Sequence, residues 1–224
     1  MPWLQLSYRF KLDDPGWPGN PTMNYIPFSS ISDGDDANTY TLSIFNHQGT
    51  HMDGPRHFNE NGVTLSELPI DSFIFQQVEL IDLPKDFGEL VTVEDLEPYA
   101  NRIANADLVL LRSGMWKKRD EDPFRYANEG PGVSAAACRY LAENYPNLRG
   151  IGMDWISLAS YIHHSEGVLA HQWLLGKFHS HTLLIIEDMD LRYAKEGSVK
   201  KVIALPLLIE GIDSGPCTIV AEVD

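Results

Sequence analysis

The chain has 224 residues, of which 43% are apolar and 22% charged, a balance typical of a globular protein. Lys and Arg total 17 against 32 Asp and Glu, and the net charge of -15 argues against nucleic-acid or anionic-membrane binding. Two cysteines are too few for a disulfide framework, and the N-terminal stretch does not resemble a secretory signal. We therefore expect one cytoplasmic domain spanning residues 1–224.

Strand and helix patterns alternate along the chain. Residues 13–21, rich in Asp, Pro and Gly, are typical of a loop, with Trp17 as its packing anchor. In chain order, the patterns then predict strands at 39–45 and 73–83, a helix at 92–104, a strand at 106–112, a helix at 134–143, a strand at 150–154, a helix at 168–178, and strands at 182–187, 201–209 and 217–222. The alternation implies parallel pairing in the sheet, so we predict a mixed α/β fold with more strand than helix.

Four potential metal ligands fall within residues 47–57. His47, His51, Asp53 and His57 are all at odd-numbered positions, so an extended chain places them on one face. Nearby Gly and Pro residues disfavour a helix here. The pair Gly54-Pro55 predicts a turn that carries His57 back toward the other three residues.

The chemistry of this cluster favours a divalent cation. Imidazole and carboxylate together suit Zn²⁺, Mn²⁺ or Fe²⁺, and the absence of a nearby thiolate argues against a closed structural zinc site. Asp53 has two oxygens and could bridge two ions. The alternative is a polar loop whose histidines bond to backbone, but three His and one Asp at this density favour the metal.

A second group of candidates lies between residues 163 and 187. His171 sits in the apolar stretch AHQWLL, which predicts a partly buried imidazole that needs a partner. Glu187 ends an apolar run, and a carboxylate at the end of a buried strand requires pairing or a metal. A backbone-bonded core histidine and a salt-bridged glutamate remain equal alternatives. The other histidines of this window are interpreted as having no site role: His163, His164, His179 and His181.

Other catalytic patterns are weaker. The string 211–215, GIDSG, resembles a nucleophile elbow but has Asp at the position that requires Ser. Cys138 falls inside a predicted helix and is interpreted as a core residue. Trp17 could stack on an aromatic substrate, with ordinary packing as the alternative.

Residues 47–58, HQGTHMDGPRHF, resemble the HxGTHxDxPxHF signature of the bacterial cyclase family. That family includes metal-dependent kynurenine formamidases and isatin hydrolases. Further likenesses at residues 6–19, 109–114, 152–154 and 206–211 extend the resemblance over most of the chain. It implies a mixed, partly barrel-like β-sheet with flanking helices, of the swivelling β/β/α type, assembled as a homodimer or homotetramer.

The resemblance also implies roles for individual residues. His47, His51 and Asp53 would hold one divalent ion, Zn²⁺ or Mn²⁺. Asp53 would bridge to a second ion held also by His171 and Glu187, and His57 would be the general acid/base. Two features depart from the formamidase pattern. Asn20 stands where formamidases tend to carry Asp, and the separation of His171 and Glu187 is longer than in compact formamidases.

The expected reaction is hydrolysis of a small aryl amide by metal-activated water. The resemblance implies N-formylkynurenine as substrate, cleaved to kynurenine and formate in tryptophan catabolism, with Trp17 in the pocket wall. One alternative is hydrolysis of an isatin-like lactam. The other is a non-catalytic metal- or ligand-binding protein on the same scaffold.

Overall fold

The computed structural model describes residues 2–224, and the following elements are assigned within that range. The strands are β1 Trp3–Gln5, β2 Asn24–Ser29, β3 Thr39–Ser43, β4 His51–Asp53, β5 Ile74–Phe75, β6 Val78–Asp82, β7 Leu90–Val91, β8 Leu108–Arg112, β9 Gly132–Val133, β10 Gly150–Met153, β11 Leu184–Glu187, β12 Val199–Pro206 and β13 Ser214–Val223. The α-helices are α1 Val93–Leu96, α2 Ala100–Ile103, α3 Trp116–Glu121, α4 Pro123–Glu129, α5 Ala135–Asn144 and α6 His164–Leu174. None of the helices in this range is long and apolar enough to cross a membrane.

The main sheet is mixed and nearly closes on itself. Its order is β5-β12-β13-β4-β11-β10-β8-β6, with β1 added beside β13. The strands β6, β8, β10 and β11 are parallel to one another, whereas β4 is antiparallel to both of its neighbours. Only Gln76 and Gln77 separate β5 from β6 along the chain, so the two ends of the order are adjacent. The predicted partly barrel-like α/β fold is confirmed.

Strands β8 and β11 each contribute to two apolar cores, one on each face of the sheet. In β8, Leu108 and Leu110 point into the barrel interior, while Val109 and Leu111 pack on the helix side with residues of α5 and α6. The same alternation places Ile186 of β11 inside the barrel. Because both faces are buried, these strands are continuous apolar runs, and this property made them predictable.

Several elements differ from their predicted bounds for local reasons. The helix expected at 92–104 is divided into α1 and α2 by a 3-10 turn at Glu97–Tyr99, because Pro98 has no amide hydrogen to donate. The strand expected at 73–83 is two strands, β5 and β6, that pair with different neighbours. The helices α3 and α4 and the strand β2 were not predicted from the sequence.

The β2–β3 hairpin lies apart from the barrel. Within residues 2–224, β2 and β3 pair only with each other. Both faces carry exposed apolar side chains, with Tyr25, Tyr40 and Leu42 on one face and Ile26 and Phe28 on the other. An isolated two-stranded hairpin is at best marginally stable in water, and this one exposes a large apolar surface in the single chain.

Candidate metal centre

The strand β4 positions the centre of the site. It lies between β11 and β13, and its alternation directs His51 and Asp53 to the same face. The register of β11 places Glu187 directly opposite His51. As a result, His51 Nε2 lies 3.2 Å from Glu187 Oε2 and 3.7 Å from Asp53 Oδ1.

Three more imidazoles complete the cluster around Asp53. His47 Nδ1 is 3.0 Å from Asp53 Oδ1, and His57 Nε2 and His171 Nε2 are each 3.9 Å from Asp53 Oδ2. His171 Nε2 is also 3.5 Å from Glu187 Oε1. The short 3-10 turn Pro55–His57 carries His57 back to the cluster as the sequence predicted. All six residues that sequence reasoning selected as metal ligands or acid/base therefore meet at one point.

The buried carboxylate of Asp53 indicates a cation-binding site. Both carboxylate oxygens of Asp53 and the Nε2 atom of His51 are buried and have no hydrogen-bond partner within residues 2–224. The close approach of His47 to Asp53 does not have hydrogen-bond geometry. A buried carboxylate is costly to leave unsatisfied, and a divalent ion among imidazole and carboxylate donors removes that cost. The residues present therefore fit a metal.

The electrostatics of the metal-free cluster follow from its crowding. Burial opposes the charged form of His51, but the carboxylates of Glu187, 3.2 Å away, and of Asp53 outweigh it and raise the pKa of His51 to about 9. Burial likewise opposes ionisation of Glu187, yet the imidazoles of His171 and His51, 3.5 and 3.2 Å from its oxygens, hold its pKa well below the usual range. In the metal-free site, a protonated His51 therefore lies beside the ionised carboxylate of Glu187.

In three of the cluster histidines, the ring nitrogen that points away from the carboxylates contacts a neutral group. His51 Nδ1 lies 2.8 Å from the Gly49 carbonyl and His171 Nδ1 lies 2.8 Å from the Gly167 carbonyl. Ser214 Oγ lies 2.9 Å from His47 Nε2. Such outer partners fix the tautomer and the ring orientation of metal-binding histidines. Gly49 can present its carbonyl in this way because its φ of 63° is readily adopted only by glycine.

A separate network of buried hydrogen bonds positions the carboxylate of Glu187. Its Oε1 accepts hydrogen bonds from the Leu158 amide, at 2.6 Å, and from the Ser157 hydroxyl, at 3.0 Å. The next residue, Asp188, has a φ of 50°, a left-handed conformation that is uncommon for any residue other than glycine. Its carboxylate accepts from Arg119 Nε at 2.8 Å and from the Tyr126 hydroxyl at 2.6 Å. This buried ion pair holds the strained backbone that directs Glu187 into the cluster.

A cavity of about 270 Å³ opens above the cluster. Its walls are mainly apolar and aromatic: Trp17, Phe45, Phe58, Ile156, Ala159 and Val168. Trp17 is steadied by an edge-to-face contact with Tyr161, with ring centroids 5.4 Å apart. Among residues 2–224, no Lys or Arg lines this cavity.

The remaining histidines between residues 163 and 187 do not all lie away from the site. His164, interpreted from the sequence as having no site role, lines the cavity together with Asn20. His163 bonds the Gly88 carbonyl on the surface, and His181 bonds two backbone carbonyls between α5 and β10. These last two histidines lie outside the cluster, as the sequence indicated.

Sequence reasoning missed Asp213, whose Oδ2 is 3.0 Å from His57 Nδ1. This hydrogen bond lowers the pKa of Asp213 to about 2. Burial opposes the charged form of His57, but the charge of Asp53 and the bond to Asp213 outweigh it, so the pKa of His57 is raised. The only sequence signal is the Asp of the GIDSG string, which does not by itself identify His57 as its partner.

The fold and the cluster together define a class of protein. The family described as putative cyclase matches residues 4–160, and the chain belongs to that family.

Individual relatives extend this result over the chain. An uncharacterized protein from Haemophilus influenzae is 45% identical over 127 residues, covering 57% of this chain and 83% of that protein. A kynurenine formamidase from Bacillus thuringiensis subsp. konkukian is 27% identical over 214 residues, covering 96% of this chain and 94% of the relative.

Solved structures share the fold. Isatin hydrolase A from Labrenzia aggregata, bound to benzyl benzoate, superposes with a TM-score of 0.82 at 22% identity, covering 99% of this chain and 93% of that chain. A "predicted metal-dependent hydrolase" from Bacillus stearothermophilus superposes with a TM-score of 0.76 at 23% identity, covering 98% and 97%. The overall fold is thus shared with these chains.

We predict that metal binding releases protons. Because the pKa of His51 is about 9 without metal, its ring is charged at neutral pH, and it must lose a proton to act as a ligand. Apparent Zn²⁺ affinity should therefore rise about tenfold per pH unit for each proton displaced, until the pH reaches the pKa of His51 in the metal-free protein. Calorimetric titration of Zn²⁺ into metal-free protein, in two buffers of different ionisation enthalpy, counts the protons.

Two variants make this measurement specific to the cluster. His51→Ala should lose the ion, whereas His163→Ala, a histidine bonded only to the Gly88 carbonyl, should bind as wild type. Zn²⁺ binding without proton release, or equal affinity of wild type and His51→Ala, would contradict the assignment.

Proposed function

We propose that this protein is a metal-dependent hydrolase of a small aryl amide, acting as an arylformamidase that converts N-formylkynurenine to kynurenine and formate. The observation that carries the proposal is the buried, unpartnered carboxylate of Asp53 among four imidazoles and Glu187, at the floor of an aromatic cavity. The kynurenine formamidase relative, which aligns over nearly the whole chain, supports the same reaction class.

The residues divide into ion-holding and proton-moving groups. His47, His51 and Asp53 are proposed to hold one divalent ion, Zn²⁺ or Mn²⁺, and Asp53, His171 and Glu187 a second. Bound there, an ion would polarise the substrate carbonyl and lower the pKa of water from about 15.7 toward about 7. The donors are nitrogen and oxygen without thiolate, as expected of a site that keeps a position open for substrate.

The chain's own residues complete the reaction. Water adds to the formyl carbonyl, the carbon–nitrogen bond breaks, and the aryl amine must gain a proton. His57 is the group proposed to carry that proton, because its Nε2 is free of a hydrogen bond and its ring lines the cavity. Trp17 and Phe58 are placed to pack against the aryl ring and exclude bulk water.

One observation favours a second candidate, hydrolysis of a neutral lactam such as isatin. The cavity lining contains no Lys or Arg to pair with the carboxylate of an amino-acid substrate. A desolvated carboxylate without a partner is costly, whereas a neutral aryl lactam meets no such cost. The shared fold with isatin hydrolase A is consistent with this alternative.

The homodimer or homotetramer expected from the family resemblance is also a proposal, and the β2–β3 hairpin is the surface that supports it. It exposes apolar side chains on both faces, and Phe28 is 83% exposed in the single chain. A second copy covering the hairpin would remove that surface from water.

Steady-state kinetics test the hydrolase proposal. With Zn²⁺ or Mn²⁺ bound, N-formylkynurenine should be cleaved with kcat/KM of about 10⁴ M⁻¹s⁻¹ or more, and isatin is measured in parallel. His57→Ala should lower kcat about 10²–10⁴-fold, because it removes the proton carrier, while metal content stays at the wild-type level. His163→Ala is the control for loss of an imidazole outside the site.

The outcomes separate the candidates. Efficient cleavage of isatin alone would replace the formamidase assignment by the lactam hydrolase. Full metal occupancy with no turnover of either substrate would favour a binding protein on this scaffold. Loss of metal in His57→Ala, equal to that in His51→Ala, would make His57 a ligand.

The hairpin proposal predicts a change of assembly in Phe28→Asp. Light scattering after size exclusion should find a dimer or tetramer for wild type and a smaller species for Phe28→Asp, because a charge cannot be buried in an apolar interface without cost. Phe124→Asp is the matched control, since Phe124 is equally a surface Phe but lies on α4. A monomeric wild type, or an unchanged assembly in Phe28→Asp, would contradict the proposal.

A further inference from the structure

Asp213 and Ser214, at the point where β13 begins, each contact a histidine of the cluster. Ser214 lies against His47, and Asp213 lies against His57. The backbone joins them to the turn that carries His57, because the Gly54 amide donates to the Asp213 carbonyl at 2.8 Å. A Cβ on Gly54 would lie 2.8 Å from that same oxygen, so only glycine permits this approach. The spacing of Asp213 and His57 is thus set by the fold.

The hydrogen bond between Asp213 and His57 decides which ring nitrogen carries the proton. An ionised carboxylate can only accept, so His57 Nδ1 must be the donor across the 3.0 Å contact. In the neutral ring, Nε2 is then the basic nitrogen. It stands 3.9 Å from Asp53 Oδ2, beyond hydrogen-bond distance, so it is available to another group.

His57 differs from the other three cluster imidazoles in the group that contacts its second ring nitrogen, Nδ1. His51 and His171 are backed by backbone carbonyls and His47 by a hydroxyl, all of them neutral groups. His57 is backed by a carboxylate, which stabilises the imidazolium that forms when the ring accepts a proton.

We propose that Asp213 is a positioning residue that fixes the Nδ1–H tautomer and the orientation of His57, leaving Nε2 to exchange a proton with the substrate. Asp213 is absent from the cavity lining, so it acts through His57 and does not touch substrate. The proton-exchange half of this inference rests on the proposed hydrolase function. The tautomer half stands on the geometry of the two side chains alone.

The test uses the full-length, Zn²⁺-loaded protein and three substitutions at Asp213. In Asp213→Asn the amide can donate to Nδ1 and select the opposite tautomer, and in Asp213→Ala the preference is lost. We expect kcat to fall about 10²–10⁴-fold with KM changed less than about threefold and with Zn²⁺ content unchanged. Asp213→Glu, which keeps the carboxylate, should recover part of the lost kcat.

Nitrogen-15 correlation spectra of the histidine rings report the tautomer without any turnover. At a pH where the ring is neutral, wild type should show His57 protonated at Nδ1, and Asp213→Asn should show Nε2–H or a mixture. Glu210→Gln is the matched control: Glu210 is exposed in the same turn, and its substitution removes one negative charge without touching His57. It should leave both spectrum and kcat unchanged.

Each outcome decides the proposal. An unchanged His57 tautomer in both Asp213→Asn and Asp213→Ala overturns it, whatever the activity. A loss of kcat in proportion to lost Zn²⁺ or lost thermal stability, in all three variants, also overturns it, because the role would be structural. If wild type hydrolyses none of the substrates tried, the proposed function fails, while the nitrogen-15 spectra still decide the positioning role.

Discussion

The structure is organised around one carboxylate. Asp53 is fully buried at the centre of a nearly closed sheet, and neither of its oxygens has a hydrogen-bond partner. An uncompensated buried anion would cost several kcal/mol, and the surrounding imidazoles, together with a cation that they could hold, offset this cost. The strand β4, which carries Asp53, lies between β11 and β13. This position brings side chains from distant segments of the chain close to Asp53.

The supports around the cluster are specialised. Backbone carbonyls and a hydroxyl hold the three histidines proposed as ligands, and the strained Asp188 with Arg119 holds Glu187. Rigid outer partners of this kind reduce the freedom of the donors and so favour binding of an ion over collapse of the cluster into internal salt bridges. The cavity then determines what can reach the site, and its aromatic walls are the basis for proposing a compact aryl substrate.

Much of the cluster was predictable because it is local in sequence. His47, His51, Asp53 and His57 follow the alternation of an extended segment and a Gly-Pro turn, and the buried parallel strands are apolar runs that any pattern analysis detects. Asp213 could not be paired with His57 in this way, since their contact joins positions 156 residues apart and depends on the register of β13 against β4.

Other elements were missed for different physical reasons. The strand β2 contains Pro27, and its apolar side chains face solvent in the single chain, so it lacks the half-buried pattern of a strand. The helices α3 and α4 lie in the charged stretch 116–129, where few apolar residues mark a helical period. Trp17 does lie in the cavity wall, and its contact with substrate stays a prediction.

Anomalous diffraction from crystals grown with Zn²⁺ or Mn²⁺ tests the central claim most directly. The account predicts at least one strong peak about 2.0–2.2 Å from an oxygen of Asp53, with imidazole nitrogens of the cluster completing its coordination. A site without an anomalous peak at full metal concentration, or an ion bound elsewhere while the carboxylate of Asp53 remains without any partner, would contradict it.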